Sequence, residues 1–331
     1  MQLVQLRNAD VRRIALVEEP NLFLLDGYDS VYALAQDAIA AGGQISSLVK
    51  GQVSGKTIEY DSVYQGRNDW KLLPPIDHPE PARCLISGTG LTHLGSARDR
   101  QSMHVSQVEQ ETDSMRMFRW GLEAGRPEAD SIGIAPEWFY KGNGTIVQPP
   151  GDALFIPPYA EDGGEEAEMA VAYIIGPDRQ PYRLGMMPGN EFSDHRFEKK
   201  NYLNLAGSKL RTCSIGPELT INPQFQSVLG SVSISRDGHL LWSQEIATGE
   251  EAMCHSLRNL EHHHFKFGLH RRPGDVHIHF LGAHSLSFGS GVELKDGDTM
   301  EVGFEGFGRP LRNPVRVEEK SGTPVRVLPL D

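Results

Sequence analysis

Cysteine is scarce in this 331-residue chain. The three present, Cys84, Cys213 and Cys254, are widely separated and form no C-x-x-C pair, so neither a disulfide framework nor a zinc ribbon is indicated. They read as buried or idle thiols of a reducing compartment. Long apolar runs are missing as well. Stretches such as MAVAYIIG fall far short of the roughly 20 residues that cross a bilayer. The opening MQLVQLRNADVRRIALVEEP lacks the apolar centre of a signal peptide, so a cytoplasmic protein with no membrane partner is expected. Positive charge is in deficit, with 32 Lys and Arg against 44 Asp and Glu and a net charge of −12. That balance argues against nucleic acid as a partner, and a small anionic substrate would need a local cation to hold it. Internal repeats and low-complexity tracts are also absent.

What remains is an ordinary globular composition, 39% hydrophobic and 23% charged. Short strands are expected at LVQL, RIALVEE and LFLLDG, followed by a helix from Ser30 with Val31, Leu34, Ala38 and Ile39 on one face. Four prolines between 74 and 81 suit an extended connector, which places a small N-terminal α+β domain at 1–75 and a larger domain at 76–331. In the larger part a helix is expected from Asp113, with Met115, Phe118 and Leu122 aligned, and another over 250–265, striped by Met253, Leu257 and Leu260. Turn signals at GPD, RDG and KDG mark the rest as strand-rich. The fold class is therefore α+β, mostly β.

The chemistry centres on GGEEAEMAVAYIIG. Glu166 and Glu168 sit at i and i+2 before an apolar strand, so they share a face and repel each other unless a cation or water intervenes. Glu191 in PGNEFSDHR adds a third carboxylate, and Lys141 and Lys209 lie in loop-like settings on either side. Hard oxygen donors of this kind suit Mg²⁺ or Mn²⁺, and such an ion can chelate a 2-oxo acid. Histidine offers a second candidate. The run EHHHF provides no i, i+4 pair, but His277 and His279 in VHIHFLGAH share a strand face, with His284 after a glycine turn. That pattern fits a transition-metal barrel, or simply a polar strand face.

The segments PEWFYKGNGTIVQPPGDALFIPP, EEAEMAVAYIIG, GNEFSDH, GSK leading to GP, and LKDGDTMEVGFEGFGRPLRNPV follow one another in order. Together, over roughly residues 83–317, they resemble the fumarylacetoacetate hydrolase superfamily. The resemblance implies a mixed β-roll or β-sandwich catalytic domain, commonly in a homodimer. Position by position, it implies metal ligands at Glu166, Glu168 and Glu191, an oxyanion-stabilising lysine at Lys209, and a substrate-carboxylate or charge-neutralising role for Lys141. ISGTGLTHLGSARD takes the place of the family's catalytic-histidine loop, which points to His93. Hydrolytic members carry a water-activating glutamate three residues after that histidine, where this chain has Ser96. His284 and Ser285 replace the family's substrate-touching G-T-P pattern and are candidate sugar-hydroxyl contacts.

Over the whole chain, SVYALAQDAI, DWKLLPPIDHPEPARC and GTGLTHLGSARDR resemble the sugar-acid branch of the superfamily, the 2-keto-3-deoxy-pentonate dehydratases. The expectation from that resemblance is a Mg²⁺- or Mn²⁺-dependent hydro-lyase making α-ketoglutarate semialdehyde, with an acylpyruvate or diketo-acid hydrolase as the alternative. A sugar-acid sensor without turnover stays open at this stage.

Overall fold

The computed structural model describes residues 1–95, 97–98, 112–319 and 324–330, so Ser96 lies outside the described residues. In chain order the strands are β1 (Gln2–Asn8), β2 (Val11–Glu18), β3 (Asn21–Leu25), β4 (Val53–Glu59), β5 (Lys71–Leu73), β6 (Cys84–Gly90), β7 (Glu137–Asn143), β8 (Val147–Gln148) and β9 (Leu154–Ile156). They continue as β10 (Ala167–Ile175), β11 (Pro181–Asn190), β12 (Cys213–Ile215), β13 (Leu219–Thr220), β14 (Val228–Arg236), β15 (His239–Thr248), β16 (Val276–Phe280), β17 (Thr299–Phe304) and β18 (Leu311–Val317). The three N-terminal strands read from the sequence are present. Ser30 caps the helix Val31–Ala40, its hydroxyl accepting the Ala33 N–H, and Val31, Leu34, Ala35 and Ala38 form the buried stripe. Residues 74–80 are irregular, as their prolines require.

The large sheet runs β4-β3-β2-β1-β13-β11-β10-β16-β6-β7. It then closes on itself. After β7 the chain turns through Gly144–Ile146 into β8, which pairs with β12, and β12 pairs with β11. The circuit β11-β10-β16-β6-β7-β8-β12 is thus a roll, and its interior is filled from alternate positions of each strand. Ala170, Ala172 and Ile174 of β10 join Ile86, Met187, Val276, Ile278 and Phe280 in that interior. The other face of β10, with Met169, Val171, Tyr173 and Ile175, packs with Val232 and Val302 of the second sheet, β15-β14-β17-β18-β9. All nine residues of β10 are buried, because apolar layers cover both faces.

Two helices differ from the sequence reading. The one expected over 250–265 starts at Leu257, where the Ser256 hydroxyl accepts the Asn259 N–H and sets the boundary. The helix Asp113–Ala124 buries Phe118 and Gly121, whereas Leu122 is 63% exposed. Gly121 takes the inward place because a Cβ there would lie 2.6 Å from Cys254 Sγ. The turn signals hold: Asp237 and Gly238 have φ of 52° and 77° and join β14 to β15.

Candidate metal centre

Sheet register assembles the centre. Ala167 of β10 lies opposite Asn190 of β11, and the Glu191 N–H donates to Glu166 O at 2.9 Å, so the start of β10 meets the end of β11. β16 flanks the other side, where the Leu281 N–H donates to Met169 O at 3.0 Å. Because β6 runs parallel to β16, its end delivers Leu91, Thr92 and His93 to the same rim of the roll.

Glu166, Glu168 and Glu191 are at most 2% exposed, and they offer carboxylate oxygens within 4.8 Å of one another. Water at an open strand end therefore does not solve their repulsion. Lys209 and Lys141 do part of it. Lys209 follows the short helix Leu205–Ser208, and its Nζ donates to Glu166 Oε1, to Glu191 Oε2 at 2.5 Å and to Ser193 Oγ at 3.0 Å. Lys141 Nζ pairs with Glu191 Oε1 at 2.5 Å and donates to the carbonyls of Phe192 (2.6 Å) and Lys209 (3.0 Å). Glu168 instead accepts the Gly282 N–H on Oε2 at 2.6 Å.

Burial raises the Glu168 carboxyl well above the ordinary range, and the neighbouring charges of Glu191 and Glu166 push the same way. Burial also raises Glu191, against the pull of Lys141 and Lys209. Three buried carboxylates facing two ammonium groups leave room for a further cation, and an all-oxygen donor set fits a hard divalent ion such as Mg²⁺ or Mn²⁺.

Sequence reasoning passed over the supporting residues. His195 Nε2–H donates to Glu166 Oε1 at 3.1 Å, an orienting contact of the kind that surrounds metal ligands. Burial opposes its charge, but the hydrogen bond and charge of Glu166 outweigh burial and raise its pKa. Glu165, one residue before the first ligand, accepts from the Ser287 N–H (2.8 Å) and Oγ–H (2.7 Å). His195 lies within the quoted GNEFSDH stretch, but its spacing alone carried no signal.

His93 is buried, and Thr hydroxyls fix its tautomer. Thr92 Oγ1 donates to Leu281 O at 2.7 Å, so it accepts from His93 Nδ1–H at 2.9 Å, and Nε2 faces the Thr248 hydroxyl at 3.2 Å. Burial, with a smaller contribution from His284, lowers the His93 pKa to about 3. The ring of His284 lies 5.9 Å from that of His93, and its Nδ1–H donates to Ala247 O at 3.0 Å. The nearby Ser285 Oγ is buried without a hydrogen-bond partner among the described residues.

His277 and His279 do share a face opposite Val276, Ile278 and Phe280, and it packs against the helix Leu257–Phe265 rather than gathering around His284. His264 Nε2–H meets His277 Nδ1 at 3.0 Å, while Trp138 Nε1–H donates to His264 Nδ1 at 3.1 Å. Ser87 and Thr89 hydroxyls occupy the His279 nitrogens at 2.9 and 2.7 Å. Among the described residues the glutamates form the one group spaced to hold an ion.

Gly282 supplies a further prediction. Its φ is +96°, and a Cβ there would lie 2.1 Å from Thr92 Oγ1, on the residue whose N–H bonds Glu168. Gly282→Ala is expected to cost about 3 kcal/mol or more and to weaken divalent-ion binding. Urea unfolding with and without Mg²⁺ measures both, and wild-type values for both would refute the role.

No family model matches the chain, and no curated protein matches it. Solved structures do share its fold. A 2-keto-3-deoxy-D-arabinonate dehydratase complexed with magnesium and 2,5-dioxopentanoate matches with a TM-score of 0.70 at 18% identity, over 97% of this chain and 100% of that one. A 5-carboxymethyl-2-hydroxymuconate delta-isomerase from Mycobacterium smegmatis matches with 0.59 at 15% identity, over 96% and 100%. A 2-hydroxyhepta-2,4-diene-1,7-dioate isomerase from Mycobacterium marinum matches with 0.59 at 15%, over 96% and 99%. The resemblance to the fumarylacetoacetate hydrolase superfamily thus holds at the level of the fold, a mostly β α+β structure matched along nearly the whole chain.

Proposed function

We propose that the chain is a metal-dependent hydro-lyase converting a 2-keto-3-deoxy-pentonate to α-ketoglutarate semialdehyde. The observation that carries this reading is the buried Glu166–Glu168–Glu191 group, set in a fold matched along its length by a dehydratase complexed with magnesium and 2,5-dioxopentanoate. These three residues would hold Mg²⁺ or Mn²⁺, which when bound supplies Lewis-acid polarisation of a 2-keto acid and so acidifies its C3 protons.

The other assignments follow from the side chains. His93 is assigned the acid/base work at C3 and C4 on the resemblance of its loop. Its Nδ1–H tautomer makes Nε2 the basic nitrogen, which in this structure accepts from the Thr248 hydroxyl, and burial, by lowering its pKa to about 3, keeps it neutral at working pH. The C3 proton and the C4 hydroxyl leave as one water; a proton shift from C5 and ketonisation then give the aldehyde. Lys209 is assigned to steady a developing enolate oxygen, for which its Nζ would give up one of its three contacts, to Glu166, Glu191 or Ser193. Lys141 has its three donors committed to Glu191 and two carbonyls, which favours charge compensation over capture of the substrate carboxylate. The Ser285 hydroxyl, without a hydrogen-bond partner among the described residues, suits a sugar hydroxyl, with His284 beside it.

The test is to incubate the protein with Mg²⁺, with and without chelator, on both C4 epimers, and to follow the aldehyde with a coupled NAD(P)-dependent dehydrogenase. Chelator-sensitive product is expected, and His93→Asn should lower kcat by about 10²–10⁴-fold with the circular dichroism spectrum unchanged. No product from either epimer, together with pyruvate released from an acylpyruvate, would replace this reading with the C–C hydrolase. A full-rate His93→Asn variant would remove His93 from the chemistry.

A further inference from the structure

On the face of β10 opposite Glu168, a cleft of about 640 Å³ opens between the β10–β11 connection and the helix Leu257–Phe265. Tyr173 lies in its lining, and the fixed charges around it are Arg183, Arg258, Lys266 and Arg271 against the single carboxylate Glu261. This reverses the sign of a chain whose net charge is −12.

The partners of these cations show which charges are left over. Arg183 grips Glu261 with both arms, Nε at 2.6 Å and Nη2 at 2.8 Å, so that pair cancels. Arg258 Nη2 donates only to carbonyls, Pro127 O at 3.2 Å and Glu128 O at 2.5 Å. Lys266 Nζ meets His263 Nδ1 at 2.9 Å, an imidazole rather than a carboxylate. Arg271 Nε is buried and has no hydrogen-bond partner among the described residues. Three positive charges therefore line one concave surface, and among the described residues their hydrogen bonds go to neutral groups. Two of the three are guanidinium forks, whose geometry matches the paired oxygens of phosphate and carboxylate.

We propose that this cleft binds a small polyanion, a phosphate ester or a polycarboxylate, through Arg258, Lys266 and Arg271. Tyr173 and Glu168 differ by an odd number of positions along β10, so the cleft and the glutamate centre lie on opposite faces. The proposal does not depend on the dehydratase reading.

The test is calorimetric titration of the full chain, free of divalent ions, with pyrophosphate and separately with citrate. A saturable one-site isotherm with at least one of them is expected. Arg271→Gln and Arg258→Gln should each weaken it by about tenfold or more. The control Arg316→Gln, at an exposed pair with Asp296, should bind as the wild type does, and so should Glu168→Gln. Binding of pyrophosphate alone identifies a phosphate ligand, and binding of citrate alone a polycarboxylate. No saturable heat with either up to about 10 mM, wild-type affinity in both folded cleft variants, or loss of binding in Glu168→Gln would overturn the proposal. A rise in melting temperature with the bound anion, absent in Arg271→Gln, provides a second readout.

Discussion

Glu168→Gln should weaken Mg²⁺ binding by more than about 100-fold, beyond the loss typical of an orienting residue, and abolish chelator-sensitive turnover, while the folded protein keeps or gains stability. The sign on stability follows from the carboxyl's surroundings. Glu168 is 1% exposed, and burial and its two carboxylate neighbours all disfavour its charge. A neutral amide of the same shape removes that repulsion and can still accept the Gly282 N–H. Glu165→Gln is the control, since Glu165 is equally buried but bonded to Ser287. It should keep the Mg²⁺ response and lose stability instead, because the carboxylate accepts from both the Ser287 N–H and its hydroxyl. Thermal melts with and without Mg²⁺ separate the two, since an ion that binds only the folded state raises the melting temperature. A Glu168→Gln protein that still responds to Mg²⁺ and turns over substrate would end the three-glutamate assignment.

The pairing of Glu166 with Glu168 was legible because strand geometry is local: any i, i+2 pair shares a face. That the pair is buried was not legible, since it depends on apolar layers covering both sides of β10 from residues as distant as Ile86 and Val302. Glu191 became readable through the resemblance, and register explains it, because Ala167 opposite Asn190 leaves the next residue of each strand end in contact. The roll's closure escaped the sequence because β8 and β12 have two and three residues, too few for any periodicity. His277 and His279 were correctly placed on one face. What covers them, the ring of His264, belongs to a helix whose docking no spacing rule describes. Gly282 was seen as a turn glycine, but its close approach to Thr92 is a tertiary contact that only the fold reveals.

Acid should unfold this protein steeply between about pH 4.5 and 3, and the buried histidines drive it. Burial lowers His93, His277 and His279 to about 3, with nearby histidines adding to the shift, and His255 to about 4. A histidine lowered in the fold stays neutral there while the unfolded chain takes up a proton below its ordinary pKa of about 6.5. Stability therefore falls as pH drops from that value to the folded pKa, by about 1.4 kcal/mol per pH unit for each group. Buried carboxyls oppose this at first. Burial raises Glu165, Glu168 and Glu191, and raises Glu218 to about 7 despite its hydrogen bond from Tyr60 at 2.5 Å. A raised carboxyl holds its proton in the fold while the unfolded chain is ionised, so it adds stability as pH falls from the folded pKa to about 4.5 and nothing further below. Down to that point the two sets act in opposite directions. Below it the histidines continue, joined by Asp194 and Asp298, whose burial is outweighed by hydrogen bonds that hold their carboxyls below the usual range. Three histidines over about 1.5 units alone remove about 6 kcal/mol, comparable to the whole stability of an ordinary domain. Far-UV circular dichroism across pH, with urea melts at each step, gives the slope directly. Burial lowers His264 well below its ordinary value too, so a slope of about three protons or more between pH 4.5 and 3 is expected; one below a single proton would mean that these imidazoles are already charged or hydrated in the fold.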